Sequence, residues 1–208
     1  PVLDDCVEAF GSKYKGNYTG NLGTDVTIFS FQTVRLPNTI DGGAIVFKDS
    51  DLYKKALLTR DFGIRRDIFR DKYNEISAEC DISLPGYGAT MSDMNSYIGC
   101  CQMDKIMMLL ERQQQNAAKW DNIIEQTYPR FFRINQREEI QPSYWVYGFL
   151  CDRKIEVMLD FRKQGYYASG VHLNNNCYSV FGNTEKLCGV NTFMKKFVAI
   201  PCGWWFEK

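Results

Sequence analysis

Arg35 stands five residues after Ser30 in a stretch, Phe29 to Gly43, that reads as strand, loop and return. Val26 to Phe31 is β-rich, the loop carries Arg35 and Pro37, and Gly42-Gly43 precede a second β-rich run, Ala44 to Phe47. Loops at strand ends are where folds of alternating strands and helices keep their chemistry, and paired glycines let backbone approach backbone or ligand closely. A guanidinium there holds anions electrostatically; it stays protonated and does not serve as a nucleophile. Gly-Gly after a strand also marks an ordinary packing loop, and the two readings share one pattern. Asp5 closes the apolar pair Val2-Leu3. It fits a ligand contact at the carboxyl edge of an open α/β sheet, or the N-cap of a short helix from Cys6 to Phe10. His172, the only histidine, is suited to proton transfer or substrate contact, or to a structural hydrogen bond at a strand end.

These residues need elements to position them. Gly11 to Asp25 reads as a surface loop ahead of the Val26 strand. Asp49-Ser50-Asp51 caps a helix that runs through Leu52, Ala56 and Leu57 to about Arg60, with Gly63 as its stop. Ile64 to Pro85 shows no periodic face and is expected to be a long connection, of the kind that often lies near binding sites. The longest helical pattern follows: Met94, Tyr97, Ile98 and Cys101 mark one apolar face. Ile106, Met107, Leu110, Ala117, Trp120 and Ile124 continue it after a phase shift near Asp104-Lys105, for core or dimer packing. Pro129 ends the pattern, and Arg130 to Gln141 is a polar crossing. Beyond it come an aromatic strand (Ser143 to Leu150), a helix (Lys154 to Gln164, with Gly165 as its stop) and a strand (Tyr166 to Val171), together a small α+β unit. The expected division is therefore 1–128 and 129–208. Trp204-Trp205 can stack on a sugar or close a core.

Composition removes several function classes. The 208 residues carry 25 Lys+Arg and 25 Asp+Glu, so there is no net charge and no basic stripe to support nucleic-acid binding. No apolar run approaches the roughly 18 residues of a membrane span, and the N-terminus lacks the regions of a signal peptide, which points to a cytoplasmic protein without a membrane partner. The eight cysteines show no Cys-x-x-Cys spacing and fit reduced, buried thiols; with one histidine beside them, no metal site is expected.

Several motifs together carry a family resemblance. Phe29-Ser30-Phe31, the basic residue five positions after Ser30, and Asp41-Gly42-Gly43 form the first; Asp4-Asp5-Cys6-Val7-Glu8-Ala9-Phe10-Gly11 forms the second. Gly86-Tyr87, Met91-Ser92-Asp93, Ile98-Gly99 and Gln102-Met103 follow at family spacing. Tyr144 to Tyr147, Gly170-Val171-His172 with Asn174-Asn175-Asn176, and Ile200 to Trp205 complete the set. The chain resembles the DegT/StrS family of pyridoxal-phosphate (PLP) sugar aminotransferases, in its perosamine-synthetase-like branch. The resemblance implies an α/β chain of aminotransferase fold type I: the second half of the large PLP domain plus the small C-terminal α+β domain. It implies PLP as cofactor, a nucleotide sugar and an amino donor as substrates, a 4-keto-6-deoxy sugar among them, and a homodimer or pairing with another aminotransferase-fold chain. It assigns Asp5 to the PLP ring nitrogen, Ser30 and Glu8 to cofactor contacts, and His172 and Asn175 to substrate. Arg35 falls at the lysine that bonds covalently to PLP.

Departures from the family pattern bear on function. Arg35 replaces that lysine, and Glu8 stands where the family has Gln or His. Gly88 and Thr90 replace an Asn and an Arg, and Asn174 and Asn176 replace charged residues. The chain is expected to begin inside the large domain, after the helix N-terminus that grips the PLP phosphate, so that PLP binding by the chain alone would be weak. The alternative reading is a non-catalytic subunit or a structural or binding protein on the aminotransferase fold.

Overall fold

The computed structural model describes residues 1–134, 137–182 and 187–206. Its strands in chain order are β1 (Leu3–Asp5), β2 (Lys13–Tyr14), β3 (Asn17–Tyr18), β4 (Val26–Ser30), β5 (Gly43–Phe47), β6 (Phe132–Arg133), β7 (Ile140–Gln141), β8 (Tyr147–Leu150) and β9 (Phe197–Ile200). The helices are α1 (Ser50–Arg60), α2 (Asp93–Met103), α3 (Ile106–Thr127), α4 (Lys154–Lys163) and α5 (Cys188–Lys196). Contacts divide the chain into two units: residues 1–10 with 17–104, and residues 11–16 with the described residues from 105 onward.

In the first unit β4 is central, with β1 parallel on one side and β5 antiparallel on the other. Its alternating sequence buries Thr27 and Phe29, and the Thr27 hydroxyl lies 3.1 Å from that of Thr24, so the buried hydroxyl is satisfied. The Phe10 ring meets Phe29 and Phe31 edge-on, at 5.5 and 6.0 Å. Cys6 to Phe10 is a turn and not the expected short helix, because the Cys6 N–H donates to Ile28 O at 2.9 Å and extends the β4 contact. Helix α1 forms where its caps predict it: Asp49 Oδ1 accepts from the N–H groups of Asp51 and Leu52, and Gly63, at φ +75°, donates back to Leu58 O. Residues 61–92 contain no helix or named strand. Ser92 caps α2 through the Asn95 N–H at 3.2 Å, and no residue of α2 is buried.

The phase shift near Asp104-Lys105 is a helix break. Helix α3 packs with the second unit, so by packing the division falls at 104/105, ahead of the 128/129 boundary expected from Pro129. There the antiparallel sheet β6-β8-β9 and helices α3 and α4 enclose Trp120, Ile124, Phe149, Phe161, Val198 and Ile200. Trp120 Nε1 donates to Pro201 O at 2.9 Å, which lets a large ring be buried with its polar atom paired. Three expectations are corrected. The aromatic strand starts at Tyr147, because Tyr144 holds φ +57°. Tyr166 to Val171 makes only a bridge at Ser169, with Val171 at φ +61°, and the strand beside β8 is β9. Trp204 and Trp205 do not close the core: Phe206 stacks on Trp120 while Trp205 is exposed. Asn135 and Gln136, in the polar crossing, lie outside the described residues. No described helix is long and apolar enough to cross a membrane.

Candidate functional site

Parallel pairing sets the site. Because β1 and β4 run the same way, with Asp5 opposite Ile28, both strands end at one edge, where Asp5 and Ser30 close them. The chain leaves β1 into the turn bearing Glu8 and leaves β4 into the loop bearing Arg35. Four sequence-predicted residues thus come from two adjacent strand ends. Asp5 is exposed, and its Oδ1 accepts from the Val7 N–H at 3.2 Å, while Ser30 Oγ accepts from the Gln32 N–H at 3.3 Å. Glu8 and Arg35 meet directly: Arg35 Nη1 lies 3.1 Å from Glu8 Oε1, with the arginine side chain only 14% exposed and the glutamate 37%.

The Arg35 loop is held along its whole length. Thr39 N–H donates to Phe31 O at 2.8 Å, the Phe31 N–H to Gly42 O at 2.9 Å, and the Thr39 hydroxyl to Asp41 O at 2.7 Å. Helix α2 adds the outer clamp. Gln102 Oε1 accepts from the Asn38 N–H at 2.9 Å, Gln102 Nε2 donates to Asn38 O, and Asn95 Nδ2 donates to Asp41 O. Gly99 permits this approach, since a Cβ there would fall 2.9 Å from Thr39 Cγ2. The sequence marks Gln102 only as part of a family motif, without assigning it a contact to the loop, and it gives Asn38 no role. Leu36-Pro37 within the loop is a cis peptide.

Behind the edge lies Cys6, buried, whose thiol is pushed up to about 12 by burial and then by the neighbouring Asp4 and Asp5 carboxylates. A thiol held neutral in this way packs and does not react. Among the described residues no group of His, Cys, Asp and Glu side chains is arranged to hold a metal ion.

His172 and Asn175 belong to the second unit, on the segment between α4 and α5. Both are exposed. The His172 ring stacks on Trp145, with centroids 6.2 Å apart, and the His172 backbone N–H donates to Gly170 O at 2.8 Å. The sequence places Trp145 in an aromatic strand and in a family motif, without a contact to His172. Asn174, beside them, donates to Asn191 Oδ1 and so ties this segment to α5.

A parallel strand pair with an acid and a hydroxyl at its carboxyl edge, and a basic loop beside it, defines an α/β protein. The chain belongs to the DegT/DnrJ/EryC1/StrS aminotransferase family, whose model matches residues 1–203. It is 27% identical over 210 residues to a UDP-4-amino-4,6-dideoxy-N-acetyl-beta-L-altrosamine transaminase of Campylobacter jejuni, covering 97% of this chain and 53% of the relative. It is also 27% identical, over 150 residues, to a GDP-perosamine synthase of Escherichia coli O157:H7, covering 72% of this chain and 37% of that one. Among solved structures, the sugar aminotransferase CalS13 from Micromonospora echinospora superposes with a TM-score of 0.89 at 26% identity, over 100% of this chain and 55% of its own. The chain spans about half the length of the curated relatives it matches. The α/β aminotransferase fold expected from the motifs is the fold observed.

Proposed function

We propose that this chain supplies part of the cofactor and substrate site of a PLP-type nucleotide-sugar aminotransferase, and that it does not itself bond covalently to PLP. The carrying observation is the ion pair of Arg35 with Glu8 at the strand edge that also bears Asp5. Asp5 suits the cofactor: an exposed carboxylate at a strand's carboxyl end can hold the proton of a pyridinium nitrogen, and Ser30 stands at the adjacent strand end. Position 35 does not suit covalent attachment, because a delocalised, permanently protonated guanidinium offers no amine to an aldehyde. When bound, PLP serves as an electron sink for chemistry at the carbon next to nitrogen. In this reading Asp5 keeps the ring nitrogen protonated, Ser30 orients the ring, and His172 and Asn175 contact the sugar nucleotide.

A second reading, a non-catalytic subunit beside another aminotransferase-fold chain, is favoured by the same arginine. Exposed Met94 and Tyr97 on α2 supply apolar surface for such a partner or for a second copy. The test is equilibrium dialysis of PLP against the protein and its Asp5→Ala variant. Reversible binding that weakens in the variant is expected. Binding indifferent to Asp5, or none, removes the cofactor role and leaves the structural reading.

A further inference from the structure

We infer that Glu8 and Arg35 act as one unit, in which Glu8 is the positioning residue that fixes the cation at position 35. This rests on the cofactor-site reading above and deepens it. Two separately anchored backbones aim the opposite charges at each other. The Glu8 turn is fixed by the Ala9 N–H donating to Cys6 O at 3.0 Å, by the Thr19 hydroxyl donating to Ala9 O at 2.9 Å, and by the Phe10 ring against Phe29 and Phe31. The Arg35 loop is fixed by Gln102 and by its own hydrogen bonds, among them the Arg35 N–H donating to Gln32 O at 2.8 Å. With the guanidinium side chain mostly buried, its contact with Glu8 is not an incidental surface pair, and removing one partner leaves the other charge partly desolvated.

The unit has a consequence for restoring the family's chemistry. A lysine placed at 35 would meet the same carboxylate, which favours the ammonium over the free amine that attacks an aldehyde. Substituting position 35 alone therefore recovers little covalent attachment; relieving Glu8 as well recovers it. An opposite charge within a few ångströms shifts an amine's ionisation by about one unit or more, so the free amine, and with it the adduct, should rise roughly tenfold when Glu8 is neutralised.

The experiment has two arms. In the first, PLP is added to the Arg35→Lys protein and to the Glu8→Gln/Arg35→Lys protein, borohydride is applied, and the adduct at residue 35 is quantified by peptide mass. More adduct in the double variant is expected, and equal adduct in the two overturns the inference. In the second arm, urea midpoints are measured without cofactor for the wild type, Glu8→Gln, Arg35→Gln and the double variant. A double variant no less stable than either single variant supports the unit, and additive losses overturn it. Adduct in neither lysine variant overturns the cofactor reading, and the unfolding cycle then decides the pairing by itself.

Discussion

A Cβ on Gly86 would fall 2.3 Å from the Gly63 amide nitrogen and 2.7 Å from the Phe62 carbonyl carbon, both of them backbone. The loop between α1 and α2 closes there, with the Tyr87 N–H donating to Thr59 O and the Phe62 N–H to Tyr87 O. Gly86→Ala is therefore expected to destabilise the first unit by about 1–3 kcal/mol and to speed proteolysis of residues 61–92, as overpacking against backbone does. Gly189 is the contrast. It lies in α5 with nothing within 4 Å of an added Cβ, so Gly189→Ala should stabilise by roughly 0.5–1 kcal/mol in urea unfolding. Nothing local in the sequence separates these two glycines, because the atoms that meet Gly86 come from the far end of the loop. The same limit applies at the site. Asp5, Glu8, Ser30 and Arg35 were each legible by type and motif, but the contact between Glu8 and Arg35 joins a turn to a loop and is set by parallel strand pairing. His172 was legible as a lone histidine, and its Trp145 neighbour was hidden because Tyr144 breaks the expected strand.

Helix α1 buries no residue, so its stability depends on its ends more than on a packed face. Asp49 satisfies two N–H groups that the first turn leaves open, and Asp49→Ala should cost about 1 kcal/mol while Asp49→Asn should cost little. Thermal melts followed by far-UV circular dichroism decide it; equal losses in the two variants would mean that the cap does not act through its side-chain oxygen. Capping is local chemistry, and for that reason α1, its Gly63 stop and the α4 stop at Gly165 could all be read in advance. Strand β9 could not. Phe197-Val198-Ala199-Ile200 is continuously apolar because both faces are covered, which removes the alternation that identifies a half-exposed strand. Tyr166 to Val171 had the aromatic, β-branched composition of a strand, but the positive φ at Val171 turns the chain away after one bridge to Ala199.

Across the whole chain, family membership was legible because its motifs are spread from Asp4 to Trp205, so that many short matches agree. The state of the thiols was legible only in part. All eight cysteines are free, as their spacing suggested, but Cys100, Cys101, Cys177 and Cys188 are exposed while Cys6, Cys151 and Cys202 are buried. Exposure is a tertiary property that apolar neighbours in the sequence do not fix; Cys100 and Cys101 sit on α2, which buries no side chain. Iodoacetamide at mild alkaline pH should therefore modify the four exposed thiols of the folded protein and spare the three buried ones until denaturant is added. Cys202 allows the sign of the pH effect to be tested. Burial raises its thiol from the ordinary 9.0 to about 12, so the folded state favours the neutral form more strongly than the unfolded chain does. The stability it contributes is then complete below pH 9.0 and is lost as the pH climbs toward about 12, where the unfolded thiol ionises and the folded one resists. Urea unfolding of the wild type and of Cys202→Ala at neutral pH and again inside that window measures this contribution as a difference, which cancels the titration of every other group. The wild type's advantage should shrink at the higher pH; an advantage that stays constant would show that the Cys202 thiol ionises alike in both states.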